Sequence, residues 1–86
     1  MKITTWADEI DVKIRVTYFP NQSGWSAEFD HASLLENHCL CSTRGIGPTL
    51  EEALRNHIKQ IQGKTIVVTY PNLPDKKFAV PFELEL

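Results

Sequence analysis

The segment Arg44-Gly45-Ile46-Gly47-Pro48-Thr49-Leu50-Glu51-Glu52-Ala53-Leu54 contains the strongest structural signal in this sequence. A glycine-rich turn leads through a proline into a helix start, because Thr49 and Glu52 have the T-x-x-E spacing of a capping box. In that motif the Thr49 hydroxyl caps the first turn, and the Glu52 side chain reaches back to the backbone N–H of Thr49. The sequence therefore predicts a helix over residues 49–62, which Gly63 ends in a left-handed conformation.

The predicted helix is amphipathic. Its apolar stripe recurs at spacings of three and four and consists of Leu50, Ala53, Leu54, His57, Ile58 and Ile61. Such a stripe needs a sheet to lie on. We predict that His57 lies at the border of the packed face and is not a general base, because no Ser, Cys or acid stands at a partner spacing.

Strand patterns precede the helix. Residues 11–19 alternate with a period of two and put four apolar side chains on one face, namely Val12, Ile14, Val16 and Tyr18. Residues 20–24 are rich in turn formers, and beyond them Trp25, Ala27 and Phe29 alternate with polar residues. This pattern predicts two half-buried strands joined as a hairpin.

Further strands complete the predicted sheet. Residues 31–37 have a weak pattern typical of a loose connection, whereas residues 37–43 and 65–70 have strand-like patterns. Residues 78–86 alternate to the last residue, and Pro81 indicates an edge strand. We therefore predict one α+β domain over residues 1–86, with an antiparallel sheet of four to five strands in the order β-β-β-α-β-β. One amphipathic helix packs on one face of this sheet.

Size and charge restrict the function. A chain of 86 residues has a thin core and little room for a deep, walled active site. The net charge of −2 with scattered basic residues argues against a protein that binds nucleic acid by neutralising phosphates. No apolar run is long enough to cross a bilayer, and residues 1–8 are too polar for a signal peptide. We expect a cytoplasmic protein without a membrane partner.

Two cysteines stand close together. Cys39 and Cys41 are separated by one residue and follow His38. On a strand both sulfurs share a face, which is not the CxxC spacing of a redox or zinc pair. We predict two small buried apolar side chains and no metal or cofactor. The alternative is a metal site that uses Cys39 and Cys41 with a distant His31 or His57, or a small metal-dependent enzyme that uses Cys39, Cys41, His38 and His57.

Three motifs together resemble a known family. The segment Gly24-Trp25-Ser26-Ala27-Glu28-Phe29, the turn Ser42-Thr43-Arg44-Gly45 and the helix start Thr49-Leu50-Glu51-Glu52-Ala53-Leu54 resemble the HicB-like antitoxin domain, which has a double-stranded-RNA-binding-like α+β fold. That family has a G-[YW]-x-[AV]-x-F strand, a glycine-containing turn and T-x-E-E-A at the helix start. The resemblance covers about residues 11–70.

The chain departs from the family at two places. The stretch Asp30-His31-Ala32-Ser33-Leu34-Leu35-Glu36-Asn37 replaces the usual P-D-L-P-G-C, and the turn before the helix has extra residues. Residues 71–86 do not have the pattern of a ribbon-helix-helix or helix-turn-helix segment. The resemblance therefore implies a partner-binding module without a DNA-reading half.

A non-catalytic protein that binds and masks a protein partner is the function that this resemblance implies. The acidic balance suits a basic partner such as a ribonuclease or another nucleic-acid-handling factor. The predicted partner-binding residues are Trp25, Glu28, Asp30, Glu83 and Glu85.

Two further interpretations follow from the predicted sheet. An open margin at residues 12–19 or 78–86 favours strand addition by a partner, or a homodimer through an edge strand. The alternative to a protein partner is RNA, since Trp25 and Phe29 would suit base stacking. Because no basic residues are interleaved with them, these aromatic residues are predicted to belong to the core.

Overall fold

The computed structural model describes residues 1–86 and contains two α-helices and seven strands. In chain order these are α1 (Ile3–Glu9), β1 (Ile14–Phe19), β2 (Gly24–Phe29), β3 (Ala32–Glu36), β4 (Cys39–Cys41), β5 (Gly45–Gly47), α2 (Leu50–Ile61), β6 (Thr65–Val68) and β7 (Lys76–Ala79). A short 3₁₀ helix, Pro20–Gln22, joins β1 to β2. The α+β class is confirmed, and so is the amphipathic helix on a sheet.

The strands form two antiparallel sheets. The first has the order β1-β2-β5, and the second has the order β4-β3-β6-β7. The chain passes from the first sheet to the second between β2 and β3, where His31 has a φ of 58°. Both sheets contribute to one core, since Phe29 from β2 and Leu34 from β3 belong to the same buried cluster.

Helix α2 begins with the predicted Thr49 cap, but the second hydrogen bond of the predicted capping box, from the Thr49 N–H to the Glu52 side chain, does not form. The backbone N–H of Glu52 donates to Thr49 Oγ1 at 3.1 Å, which satisfies one of the free donors of the first turn. At the other end Gly63 has a φ of 68°, the left-handed conformation that glycine adopts without strain. The exposed side of the helix carries an ion pair of 2.6 Å between Arg55 and Glu51.

The helix lies directly on β5. A Cβ atom added to Gly45 would meet the backbone of Ala53 and His57, and one added to Gly47 would lie 2.8 Å from Glu52 Cβ. The sequence predicted a turn at residues 45–47, and this prediction is wrong. Gly45 and Gly47 lie in a strand that pairs with β2. Both positions need glycine because the backbone of α2 approaches so closely that no side chain fits.

The sequence pattern does not predict α1. Ile3, Trp6 and Ala7 from this helix are buried, and the Trp6 ring packs against Phe29 and edge-on against Phe78. The helix has only seven residues, and Lys2 at its start makes no side-chain cap. It therefore lacks the local signals that identified α2, and its tertiary packing stabilises it.

Two strand predictions are corrected. Residues 31–37 are not a loose connection, because β3 pairs on one side with β4 and on the other with β6. The predicted strand over residues 78–86 ends at Ala79, and Phe82 beyond it is 81% exposed. The last residues pair instead with the start of the chain, where the N–H of Glu85 donates to Met1 O at 2.9 Å. Neither helix is long and apolar enough to cross a membrane.

Candidate functional site

One edge of the first sheet, formed by β1, is open. Asp30 N–H donates to Lys13 O at 2.8 Å, and the same register places Arg15 opposite Glu28. In an antiparallel pair every second residue directs both backbone groups at its partner strand, and the residues between direct theirs away. The N–H and C=O groups of Ile14, Val16 and Tyr18 therefore point outward, where no further strand pairs with β1.

The opposite edge of the same sheet, formed by β5, is closed. Its pairing of Gly45 with Ala27 and of Gly47 with Trp25 leaves the carbonyl groups of the even-numbered residues pointing outward. Two side-chain amides of α2 cap these carbonyl groups. Asn56 Nδ2 donates to Ile46 O at 2.7 Å, and Gln60 Nε2 donates to Arg44 O at 2.9 Å.

The edges of the second sheet have features that discourage further pairing. Strand β4 is three residues long, and β7 has four residues that include Lys76 and Lys77. Short edges and edge lysines both discourage edge-to-edge association. Strand β1 is six residues long with one charged residue, Arg15. Among the four sheet edges, β1 is therefore the best suited to accept another strand.

Apolar side chains accompany the open edge. Val16 is 44% exposed and Tyr18 is 50% exposed, and the Tyr18 ring lies 4.9 Å from the ring of half-buried Trp25. The sequence predicted that this face of β1 would be half-buried, which is wrong at Val16 and Tyr18. Helix α2 packs on β2 and β5 and leaves this end of β1 uncovered.

We define the β1 surface as the outward backbone groups of Ile14, Val16 and Tyr18 together with the side chains of Val16, Tyr18 and Trp25. Trp25 is one of the predicted partner-binding residues. The other residues of the β1 surface lie within residues 12–19, one of the two margins at which the sequence predicted strand addition or a homodimer.

Charges on the other face of this sheet compensate one another. The Glu28 carboxylate lies 3.9 Å from Arg15 and 3.8 Å from Arg44. Asp30 forms an ion pair with Arg15 and lies 3.5 Å from His31 Nε2. Two predicted partner-binding residues, Glu28 and Asp30, therefore have intramolecular ion-pair partners. The same pairing leaves Arg15 and Arg44 less available for phosphate groups.

The remaining predicted partner-binding residues lie elsewhere. The N-terminal ammonium group donates to the backbone carbonyl oxygen of Glu83 at 3.1 Å. The backbones of Glu85 and Lys2 form an isolated parallel β-bridge. Gln62 Nε2 from the end of α2 donates to Leu84 O at 2.9 Å. Glu83 and Glu85 thus lie beside the first residues and the end of α2, whereas Trp25 lies beside Tyr18.

His57 is buried in the interior. It is 0% exposed, so the predicted place at the border of the packed face is wrong. Its Nδ1–H donates to Thr43 O at 2.5 Å, while Nε2 has no partner. Burial lowers the pKa of His57, against the opposing effects of the Thr43 carbonyl group and the Glu28 charge. This imidazole is therefore neutral near pH 7.

The cysteines are exposed. Cys39 and Cys41 both lie on the surface of β4, so the prediction that they are buried is wrong. No group of three or more His, Cys, Asp or Glu side chains is arranged to hold a metal ion. The structure therefore does not bring together Cys39, Cys41, His38 and His57, the four residues of the metal-dependent alternative.

Comparison with known proteins finds no matching family model, no matching curated protein and no matching solved structure. The resemblance to HicB-like antitoxins therefore stays a prediction.

Proposed function

We propose that this chain is a non-catalytic interaction protein that binds a protein partner at the β1 surface and masks it, as an antitoxin does. The observation that carries the proposal is the open edge of β1, which is six residues long. Its outward backbone groups and its exposed Val16 and Tyr18 side chains are the features that strand addition uses.

In this mode an extended segment of the partner adds to the sheet beside β1. Main-chain hydrogen bonds to Ile14, Val16 and Tyr18 supply affinity, and alternate side chains of the partner pack on the apolar part of the β1 surface. Aromatic residues such as Tyr18 and Trp25 are the types that contribute most to protein interfaces. The backbone groups of the segment are covered in the complex, which is how binding would mask it.

The HicB-like resemblance and the charge together suggest the kind of partner. A net charge of −2 favours encounter with a basic protein, such as a ribonuclease or another nucleic-acid-handling factor. Ion pairing of Arg15 and Arg44 with Glu28 favours a protein over RNA. The proposal includes a cytoplasmic location for both proteins.

Affinity purification from the native host followed by mass spectrometry tests the proposal. We expect the wild-type chain to retain one protein, and we expect Val16→Lys to lose it because a charge and a long side chain obstruct strand addition. Leu40→Lys is the matched control, since Leu40 is 61% exposed but lies on β4. The proposal fails if no protein is retained, or if Val16→Lys retains the partner as well as Leu40→Lys does.

A further inference from the structure

We infer that, when no partner is bound, β1 pairs with β1 of a second copy of this chain, in antiparallel orientation and with Val16 on the two-fold axis. The inference rests on the β1 surface of the proposed function and names another occupant for it. It joins two three-stranded sheets into one continuous sheet with an isologous interface.

The outward backbone groups determine which registers can form. Ile14, Val16 and Tyr18 direct their N–H and C=O groups outward, so each must face one of the same three residues in the second copy. With Val16 opposite Val16, Ile14 faces Tyr18 on both sides of the axis. This register uses every outward group of the strand and forms about six hydrogen bonds between the copies.

Each neighbouring register is worse for a specific reason. The register that pairs Ile14 with Val16 also places Arg15 opposite Arg15, and like charges directly opposite each other are destabilising. The register that pairs Val16 with Tyr18 also places Ile14 opposite Pro20, and proline has no N–H group to donate. With Val16 on the axis, Arg15 faces Thr17, so neither penalty arises. The sequence of β1 therefore favours one self-complementary register.

The two α2 helices leave room for this dimer. Strands lie about 4.8 Å apart, so helices that cover β2 and β5 in each copy have axes roughly 19 Å apart. Helices of about 10 Å diameter leave a channel of roughly 9 Å between them. The side chains of Val16 and Tyr18 from both copies point into this channel, because they lie on the helix-covered face of the sheet with Ala27, whereas Ile14 packs against the core of its own copy.

Pairing of two copies buries two apolar side chains that are exposed in the single chain. Val16 and Tyr18 are 44% and 50% exposed in one copy, and in the dimer each lies opposite an apolar side chain of the second copy. Leu54 also contributes, since it is half-buried on the flank of α2 away from Asn56 and Gln60. The hydrophobic effect and the new hydrogen bonds therefore favour the same arrangement.

Sedimentation equilibrium over a concentration series tests the dimer. We expect a limiting mass of twice the 9.8 kDa of one chain. Val16→Pro removes the N–H group on the axis, and proline is tolerated on an edge strand when its nitrogen faces outward. We expect this variant to keep the circular dichroism spectrum of the wild type and to raise the dissociation constant by at least about tenfold. Leu40→Lys, on β4, is expected to leave the dissociation constant unchanged.

Disulfide cross-linking tests the register, with Cys39 and Cys41 both replaced by serine. Val16→Cys places two sulfurs across the axis on Cα atoms about 5.5 Å apart, which a disulfide can join. Thr17→Cys places its two Cα atoms more than about 7 Å apart, which a disulfide cannot span. We expect mild oxidation to cross-link Val16→Cys and not Thr17→Cys.

Three results would overturn the inference. They are a wild-type chain that stays monomeric up to about 1 mM, a dimer that Val16→Pro leaves intact, and cross-linking of Thr17→Cys in place of Val16→Cys. A monomeric chain that still captures a host protein through Val16 would overturn the dimer and leave the proposed function standing. A dimer that captures no host protein would support the inference and overturn the proposed function.

Discussion

The two edges of the first sheet, β5 and β1, differ in whether their outward carbonyl groups accept hydrogen bonds from within the chain. At β5 the outward carbonyl groups of Arg44 and Ile46 accept hydrogen bonds from side chains of α2. At β1 the outward groups of Ile14, Val16 and Tyr18 have no partner within the chain. The comparison separates an edge that belongs to the fold from an edge that is available for binding.

The width of one helix explains the difference. An α-helix with its side chains is about 10 Å across, and strands lie about 4.8 Å apart, so one helix covers about two strands. Helix α2 covers β5 and β2, and β1 as the third strand keeps an uncovered apolar face at Val16 and Tyr18. The chain has no second helix over this sheet edge, since α1 packs through Trp6 on Phe29 and Phe78.

Replacing a glycine of β5 should reduce the free energy of unfolding most strongly. In Gly45→Ala the new Cβ meets the backbone of Ala53 and His57, so α2 must move away from β5. We expect a loss of about 3 kcal/mol in the free energy of unfolding, measured with urea. Gly24→Ala is the control, because its Cβ would lie 3.6 Å from Gly47 O in an ordinary contact. An equal loss in both variants would contradict the close approach of α2.

Removing the two side-chain amides that cap the closed edge should have the next largest effect on the free energy of unfolding. The double variant Asn56→Ala with Gln60→Ala removes both caps from the β5 carbonyl groups, at about 1 kcal/mol for each hydrogen bond. We therefore expect urea unfolding to show a loss of about 2 kcal/mol. Lys59→Ala lies on the same helix, is exposed, and should change stability by less than about 0.5 kcal/mol. A double variant as stable as Lys59→Ala would mean that the caps do not hold the edge.

The sequence predicts those parts of the fold that a few neighbouring residues determine. The Thr49 cap and the left-handed Gly63 are local features, and both are confirmed. The strand at Gly45–Gly47 was missed because glycine in a sequence favours a turn, and only the approach of α2 explains its place in a sheet. Helix α1 and strand β3 were missed because distant partners stabilise them.

The β1 surface could be predicted only in part. The alternation in residues 11–19 correctly predicts the strand, but an apolar face has the same pattern whether or not a helix covers it. One signal was present, since a single predicted helix cannot cover a sheet of four to five strands. The positions of Glu28 and Asp30 beside Arg15 depend on strand register, which sequence spacing alone does not determine.

His57, a buried residue of α2 that donates to Thr43 O, should make the free energy of unfolding depend on pH. His57 is neutral and buried, and burial lowers its pKa below the ordinary value of 6.5. The unfolded chain therefore binds more protons than the folded chain just below pH 6.5, so the His57 contribution falls as pH falls through that range. We expect a loss of up to about 1.4 kcal/mol per pH unit.

Urea unfolding between about pH 7.5 and 5.5 measures this dependence, and His57→Gln gives the reference because glutamine does not titrate. The carboxylates contribute equally in both proteins, so the difference in slope belongs to His57. Parallel slopes would mean that His57 is accessible to protons in the folded state, contrary to its burial.

A charge on the open edge should have the smallest effect on folding. In Val16→Lys the side-chain stem can lie along the sheet while the ammonium group reaches water, because Val16 is 44% exposed. No backbone hydrogen bond of the single chain is lost, so we expect urea unfolding of the monomer to change by less than about 0.5 kcal/mol. The same substitution at Val68, which is 1% exposed on the inner strand β6, buries a charge and should cost more than about 3 kcal/mol. If Val16→Lys destabilised the monomer as strongly as Val68→Lys, the β1 edge would be part of the folded core, and its openness would have no meaning for binding.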